Sequence, residues 1–135
     1  KVIDALISYG NSFGWAFQIQ DDILDIYGNA TETGKKVCGD IIENKNTLLT
    51  HYLYKLGSTE NKIELAKYLG RSDLTEQDIE KIRAIFRESG SYDYVHSMAK
   101  KYVEDGKKQI PNITKNPHHA DLLEQLIEYM IIRIS

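Results

Sequence analysis

Three aspartates lie close together in the first part of the sequence, at Asp21, Asp22 and Asp25. On an α-helix, residues four apart share a face, so the carboxylates of Asp21 and Asp25 would lie one above the other, with Gln18 one turn earlier. Like charges at this spacing cost about 0.2–0.5 kcal/mol on an exposed helix, and the helix dipole disfavours anions near a C-terminus. Several stability rules are therefore violated together, which tends to mark a functional site.

A hard divalent cation would explain this cluster. Magnesium prefers carboxylate and phosphate oxygens and usually bridges one or two carboxylates to a substrate phosphate. On the aspartates alone, a solvated acidic helix face remains an open alternative. An EF-hand calcium loop starting at Asp21 is excluded, because Ile23 and Ile26 occupy positions that need an oxygen ligand and a glycine.

Lysines follow the aspartates on a polar, glycine-containing segment. Lys35 lies ten residues after Asp25 and Lys45 lies twenty residues after it. Lysine neutralises phosphate as a mobile point charge, and a glycine-containing loop can close over a ligand. A protein that binds a metal diphosphate needs aspartates to hold the metal and lysines to neutralise the phosphates, and this segment contains both. A second hypothesis makes Cys38 a reactive thiol, since neighbouring lysines would lower its pKa.

The elements that must position these residues are predicted to be helices. The first, over about 2–27, is apolar on more than one side, which indicates burial in a larger bundle, and Gly28 ends it. Apolar residues at helical spacing predict further helices that end at Gly57, Gly70 and Gly90, then helices over 91–110 and about 119–134. Thr75 and Asp78 have the form of a capping box, and Pro111 and Pro117 are predicted to bracket a linker. With no strand alternation, the prediction is all-α.

Composition excludes several classes of protein. The chain has 135 residues, a net charge of −3 and scattered lysines and arginines, so nothing favours nucleic-acid binding. No apolar run reaches the roughly 20 residues of a membrane span. The single cysteine, Cys38, cannot form an internal disulfide, which is typical of a cytoplasmic protein. Because the chain starts with Lys1 inside an apolar helix, we expect a fragment of a longer protein.

The motif set resembles that of the trans-prenyltransferases, the isoprenyl diphosphate synthases such as farnesyl and geranylgeranyl diphosphate synthase. Their second aspartate-rich motif reads Phe-Gln-x-x-Asp-Asp-x-x-Asp, followed by Gly-Lys, an Asp five residues later and a further Lys after another five. The matching residues here are Phe17, Gln18, Asp21, Asp22, Asp25, Gly34, Lys35, Asp40 and Lys45, with Thr47 at a common threonine position.

The resemblance implies an all-α, isoprenoid-synthase-type helical bundle. Residues 1–135 would form the C-terminal half of a single prenyltransferase domain, with the aspartate motif at 17–25, a lysine loop at 29–47 and C-terminal helices over 48–135. It also implies Mg²⁺ as the cofactor. Asp21, supported by Asp22 and Asp25, would hold the metal against an allylic diphosphate, which Lys35 and Lys45 would contact.

The remaining roles concern the reacting groups. The resemblance implies that Gln18 faces the allyl group, that Phe17 helps to form the floor between the substrates, and that Asp40 belongs to the substrate-binding set. Gln18 and Lys35 would be the catalytic residues. The implied reaction is ionisation of the allylic diphosphate, attack by isopentenyl diphosphate on the carbocation and loss of a proton. A homodimer is expected.

The sequence departs from the family pattern at two positions and lacks one motif. Cys38 and Asn44 stand where glycine is expected or common, and the first aspartate-rich motif is absent. We therefore expect half of a metal site and no turnover by the 135-residue chain alone. Two alternatives remain at this point: a non-catalytic partner subunit of a heteromeric prenyltransferase, and a helical interaction module that binds metal for structure.

Overall fold

The computed structural model describes residues 1–28 and 37–135, and these residues form helices without any β-strand, which confirms the all-α prediction. We number the described helices in chain order. Their bounds are α1 Val2–Tyr27, α2 Gly39–Ile42, α3 Leu48–Leu56, α4 Thr59–Ala66, α5 Glu76–Glu88, α6 Ser91–Ile113 and α7 Pro117–Ile132. No described helix is both long and apolar enough to cross a membrane.

Helix α1 has the predicted bounds. Its last backbone hydrogen bond runs from the Gly28 N–H to the Leu24 carbonyl at 2.9 Å. Ile19, Ile23 and Ile26 are buried, as a core-facing stripe should be. Several other apolar side chains of α1 are half exposed or more in this chain, so the predicted burial within a larger bundle stays a prediction: Val2, Ile3, Ile7, Trp15 and Phe17.

The chain divides into two compact units, and residues 21–95 form one of them. Helices α3, α4 and α5 pack against one another in this unit. Its fully buried side chains include Ile23, Ile41, Leu49, Leu53, Leu65, Ile82, Phe86 and Val95. Three N-terminal capping boxes begin its helices, at Thr47, Ser58 and Thr75, so the box predicted from Thr75 and Asp78 is confirmed.

Residues 1–20 and 96–135 form the other unit. Its core contains Tyr9, Ala16, Val103, Ile110, Ile127 and Met130. The Tyr9 hydroxyl donates to the Leu123 carbonyl at 2.6 Å, and the rings of Trp15 and Tyr102 stack with centroids 6.0 Å apart. These contacts join the first part of α1 to α6 and α7.

Three helix ends differ from the prediction. Helix α4 ends at Ala66, before the predicted end at Gly70. Helix α6 continues through Pro111 to Ile113, so Pro111 does not begin a linker. A proline near the last turn removes one hydrogen bond, yet the Thr114 N–H still donates to the Ile110 carbonyl at 3.1 Å. Helix α7 begins at Pro117, earlier than predicted, because the Asn116 side chain accepts hydrogen bonds from two backbone N–H groups of the first turn.

Gly106 marks a close approach between α6 and α7. A Cβ atom at this position would overlap the Ile127 Cδ1 atom. We therefore expect Gly106→Val to lower the free energy of unfolding by about 1–3 kcal/mol through overpacking. Denaturant unfolding followed by circular dichroism measures this.

Gly10 provides the matched control, since it also lies inside a helix but has no atom within 4 Å of a built Cβ. Gly10→Val should leave stability within about 0.5 kcal/mol of wild type, because valine and glycine differ little in helix propensity. Equal destabilisation by both substitutions would contradict a packing role specific to Gly106.

Candidate functional site

The three aspartates lie in the last two turns of α1, and the structure gives them different environments. Asp22 is buried, with 4% of its surface exposed, whereas Asp21 and Asp25 are partly exposed. The helix therefore presents two carboxylates one turn apart on an accessible face, and turns the third inward.

The carboxylate of Asp22 lies at the beginning of α3. Its Oδ2 accepts a hydrogen bond from the Leu48 N–H at 3.1 Å. Leu48 is the first residue of α3, whose Thr47 cap also accepts from the Thr50 N–H at 3.3 Å. A helix N-terminus has unsatisfied N–H groups and a positive dipole end, so a buried carboxylate there is stabilised.

Two backbone N–H groups of residues 38–40 donate hydrogen bonds to Asp25. The Cys38 N–H donates to the Asp25 carbonyl at 2.7 Å, and the Asp40 N–H donates to its carboxylate Oδ2 at 3.0 Å. A Cβ on Gly39 would lie only 3.3 Å from the other carboxylate oxygen, so glycine permits this close approach. The short helix α2, absent from the prediction, results from this attachment.

The backbone conformations of Cys38 and Asn44 explain why glycine is expected at these two positions. Both have left-handed backbones, with φ of 62° and 55°, which glycine adopts at little cost. Cys38 is fully buried, and burial together with the negative charge of Asp25 raises the pKa of its thiol to about 12. The hypothesis that Cys38 is a reactive thiol with a lowered pKa is therefore wrong.

Lys45 lies on the exposed segment that follows α2. Its N–H donates to the Asp40 carbonyl at 2.8 Å, and its ammonium pairs with Glu43 at 2.8 Å. The hydrogen bond that the Lys45 ammonium donates to Glu43 raises the pKa of Lys45, so the side chain carries a positive charge near neutral pH. Because both partners are about 60% exposed, water screens this pair.

The other predicted residues have separate locations. Phe17 is 51% exposed and Gln18 is exposed, on the turn of α1 that precedes the aspartates. Gly34 and Lys35, with the first part of the lysine loop, lie outside the described residues. Asp40 contributes its backbone N–H to Asp25 and its carbonyl to Lys45.

Arg83, on α5, was not singled out from the sequence. Its Nε donates to the Ile26 carbonyl at 2.7 Å and its Nη2 donates to the Gly28 carbonyl at 3.0 Å. The signal was present, since Arg83 lies four residues after Ile79 and three before Phe86, on the apolar face of its helix. A charge at such a position requires a partner, which spacing alone could not identify.

Among residues 1–28 and 37–135, no group of three or more histidine, cysteine, aspartate or glutamate side chains is arranged to hold a metal. Asp21 and Asp25 offer oxygen atoms only. That donor set suits a hard cation such as magnesium, which takes one or two carboxylates and completes its shell with water and phosphate oxygens. The residues present therefore fit magnesium bound together with a phosphate ligand.

Comparison with known proteins gives consistent matches. The polyprenyl synthetase family model matches residues 1–86. A geranylfarnesyl diphosphate synthase from Natronomonas pharaonis is 32% identical over 133 residues, which cover 98% of this chain and 37% of that protein. A geranylgeranyl pyrophosphate synthase from Geoglobus acetivorans is 36% identical over 134 residues, which cover 98% of this chain and 39% of that protein.

A solved structure has the same fold. It is the geranylgeranyl pyrophosphate synthase of Corynebacterium glutamicum, complexed with isoprenyl diphosphate and magnesium. It superposes with a TM-score of 0.86 at 28% identity, over 97% of this chain and 37% of that chain. This chain thus spans about two-fifths of the length of the proteins it matches.

Proposed function

Because the chain belongs to the polyprenyl synthetase family, we propose that it supplies one half of the magnesium and diphosphate site of an isoprenyl diphosphate synthase. Such an enzyme condenses an allylic diphosphate with isopentenyl diphosphate into a longer isoprenyl diphosphate. One observation carries the proposal: the segment leading to Lys45 is hydrogen-bonded to Asp25 through the Asp40 N–H. This places a cation-bearing segment against the acidic turn.

The binding roles are those that the family resemblance implies. Asp21 is the leading metal ligand, supported by Asp25 and Asp22; Asp21 and Asp25 are partly exposed, and Asp22 is buried. Lys45 and Lys35 neutralise the diphosphate oxygens. When bound, magnesium supplies further positive charge to that diphosphate. The carboxylates that would complete the metal site are expected in another part of the enzyme.

The chemical roles concern charge and geometry. The allylic C–O bond breaks, pyrophosphate leaves and a C–C bond forms to isopentenyl diphosphate. The proton then lost from the product passes to the departing pyrophosphate. Negative charge develops on the leaving pyrophosphate, and preplaced lysines such as Lys45 stabilise that charge. Gln18 would face the allyl group, and Phe17 would separate the two substrates.

The comparisons do not support a non-catalytic partner subunit or a structural metal-binding module, since the relatives reported above are named as synthases. A homodimer and a cytoplasmic location remain proposals, based on the sequence. They are independent of the site proposed above.

Titration calorimetry of the 135-residue chain tests the proposal. We expect magnesium to bind weakly alone and much more tightly when inorganic pyrophosphate is present, because Asp21 and Asp25 leave coordination positions for phosphate oxygens. Inorganic phosphate serves as the control, since a monophosphate offers fewer oxygens to the metal and the lysines. Tight magnesium binding that is indifferent to pyrophosphate would instead support the structural module.

A further inference from the structure

The carbonyl groups at the end of α1 lie on the same turns of the helix as the aspartates. The last carbonyls of a helix have no partner within the helix and need other donors. The Leu24 carbonyl accepts from the Gly28 N–H and that of Asp25 from the Cys38 N–H, whereas those of Ile26 and Gly28 accept from Arg83. A single guanidinium therefore satisfies two of these carbonyls.

Arg83 is itself held in place. Its Nη1 donates to the Glu80 carboxylate at 2.8 Å on the same helix, and 22% of its side chain is exposed. In the reverse direction, the Tyr27 hydroxyl donates to the Arg83 carbonyl at 2.6 Å. The last residues of α1 and the middle of α5 are thus joined by hydrogen bonds in both directions.

The electrostatic setting requires a cation at this point. The C-terminal end of α1 carries the negative end of the helix dipole, and Asp21, Asp22 and Asp25 add further negative charge within two turns. A guanidinium bound to the terminal carbonyls offsets this charge. Lysine could not reproduce the arrangement, because its ammonium is a single donor centre and cannot span two carbonyls as a planar fork does.

We propose that Arg83 is a positioning residue for the metal and diphosphate site. By holding the Ile26 and Gly28 carbonyls, it fixes the last turn of α1, and with it the orientation of Asp25 and Asp21. It also fixes Gly28, the point at which the chain leaves α1. This inference rests on the function proposed above.

The test compares Arg83→Gln and Arg83→Lys with the wild-type chain, using calorimetric titration of magnesium with inorganic pyrophosphate. We expect Arg83→Gln to weaken binding by about tenfold, and Arg83→Lys to recover part of the loss because it keeps the charge but only one donor centre. Circular dichroism and thermal unfolding establish that each variant is folded. If Arg83→Gln does not fold, the comparison of Arg83→Lys with wild type tests the inference: weaker binding by Arg83→Lys supports it, and equal binding contradicts it.

Lys81→Gln is the control, because Lys81 is an exposed cation on the same helix. This substitution should leave the affinity for magnesium pyrophosphate within about twofold of wild type. Wild-type affinity in both Arg83 variants, or an equal loss in Lys81→Gln, would overturn the inference.

Asp21→Asn separates this inference from the proposed function. If wild type binds magnesium pyrophosphate, Asp21→Asn does not, and Arg83→Gln binds normally, only the positioning role is wrong. If Asp21→Asn binds as well as wild type, the metal site itself is wrong, and the role of Arg83 in it is wrong as well.

Discussion

Asp21→Asn is expected to lower synthase turnover by on the order of 100-fold while leaving the fold intact. Asparagine keeps the size of the side chain but removes the negative charge that a metal requires. A comparable loss follows removal of one preorganised group that stabilises developing charge in other enzymes. Since Asp21 is partly exposed, the substitution leaves no cavity.

The measurement uses a hybrid in which this chain replaces the matching segment of the Geoglobus acetivorans geranylgeranyl pyrophosphate synthase, to which it is 36% identical. Turnover of an allylic diphosphate with isopentenyl diphosphate is followed at varied magnesium. Higher magnesium should partly restore the rate, as expected when a metal ligand is weakened. Calorimetry on the isolated chain gives an independent measure, as loss of magnesium pyrophosphate binding.

Asp4→Asn is the control, because Asp4 is an exposed acid in the first turn of the same helix. It changes the net charge by the same amount at a distance from the site. Turnover within about twofold of the parent hybrid is expected. If Asp21→Asn retained most of the parent turnover, or if Asp4→Asn lost as much, Asp21 would not be the leading metal ligand.

The sequence was sufficient for the parts of the fold and site that depend on local spacing. The bounds of α1, the shared face of Asp21 and Asp25 and the capping box at Thr75 follow from helix periodicity and from side chains that pair within four residues. Such features need no information from distant parts of the chain.

Features that depend on distant backbone groups could not be predicted. Asp22 accepts from the Leu48 N–H, 26 residues later, and Asp25 accepts from the Asp40 N–H, 15 residues later. Every residue except proline has a backbone N–H, so no residue type marks the donor. The short helix α2 was missed for the same reason, since four residues carry no periodicity and its position depends on Asp25.

Departures from a family pattern were visible in the sequence, but only the structure explains them. Cys38 and Asn44 stand at glycine positions, and both are left-handed. The geometry of the segment is thus retained by residues that adopt it at some cost: asparagine tolerates this conformation better than most residues, and Cys38 is held by burial. The structure therefore shows that Cys38 and Asn44 adopt the left-handed backbone that a glycine would adopt more easily.

Asp22→Ala is expected to destabilise the chain, in contrast to Asp21→Asn. The substitution removes a buried carboxylate and leaves the Leu48 N–H, at the beginning of α3, without this acceptor. A hydrogen bond to a charged group contributes about 1.5–3 kcal/mol. We therefore expect the free energy of unfolding to fall by about 2 kcal/mol, as measured by denaturant unfolding.

Asp73→Ala provides the control, since Asp73 is exposed and its ion pair with Arg71 lies on the surface. Its free energy of unfolding should stay close to wild type, because surface pairs contribute little. Asp22→Asn keeps an acceptor oxygen for the Leu48 N–H and should recover part of the stability. If Asp22→Ala were as stable as wild type but failed to bind magnesium pyrophosphate, Asp22 would act as a metal ligand rather than as the residue that anchors α3 to the acidic turn.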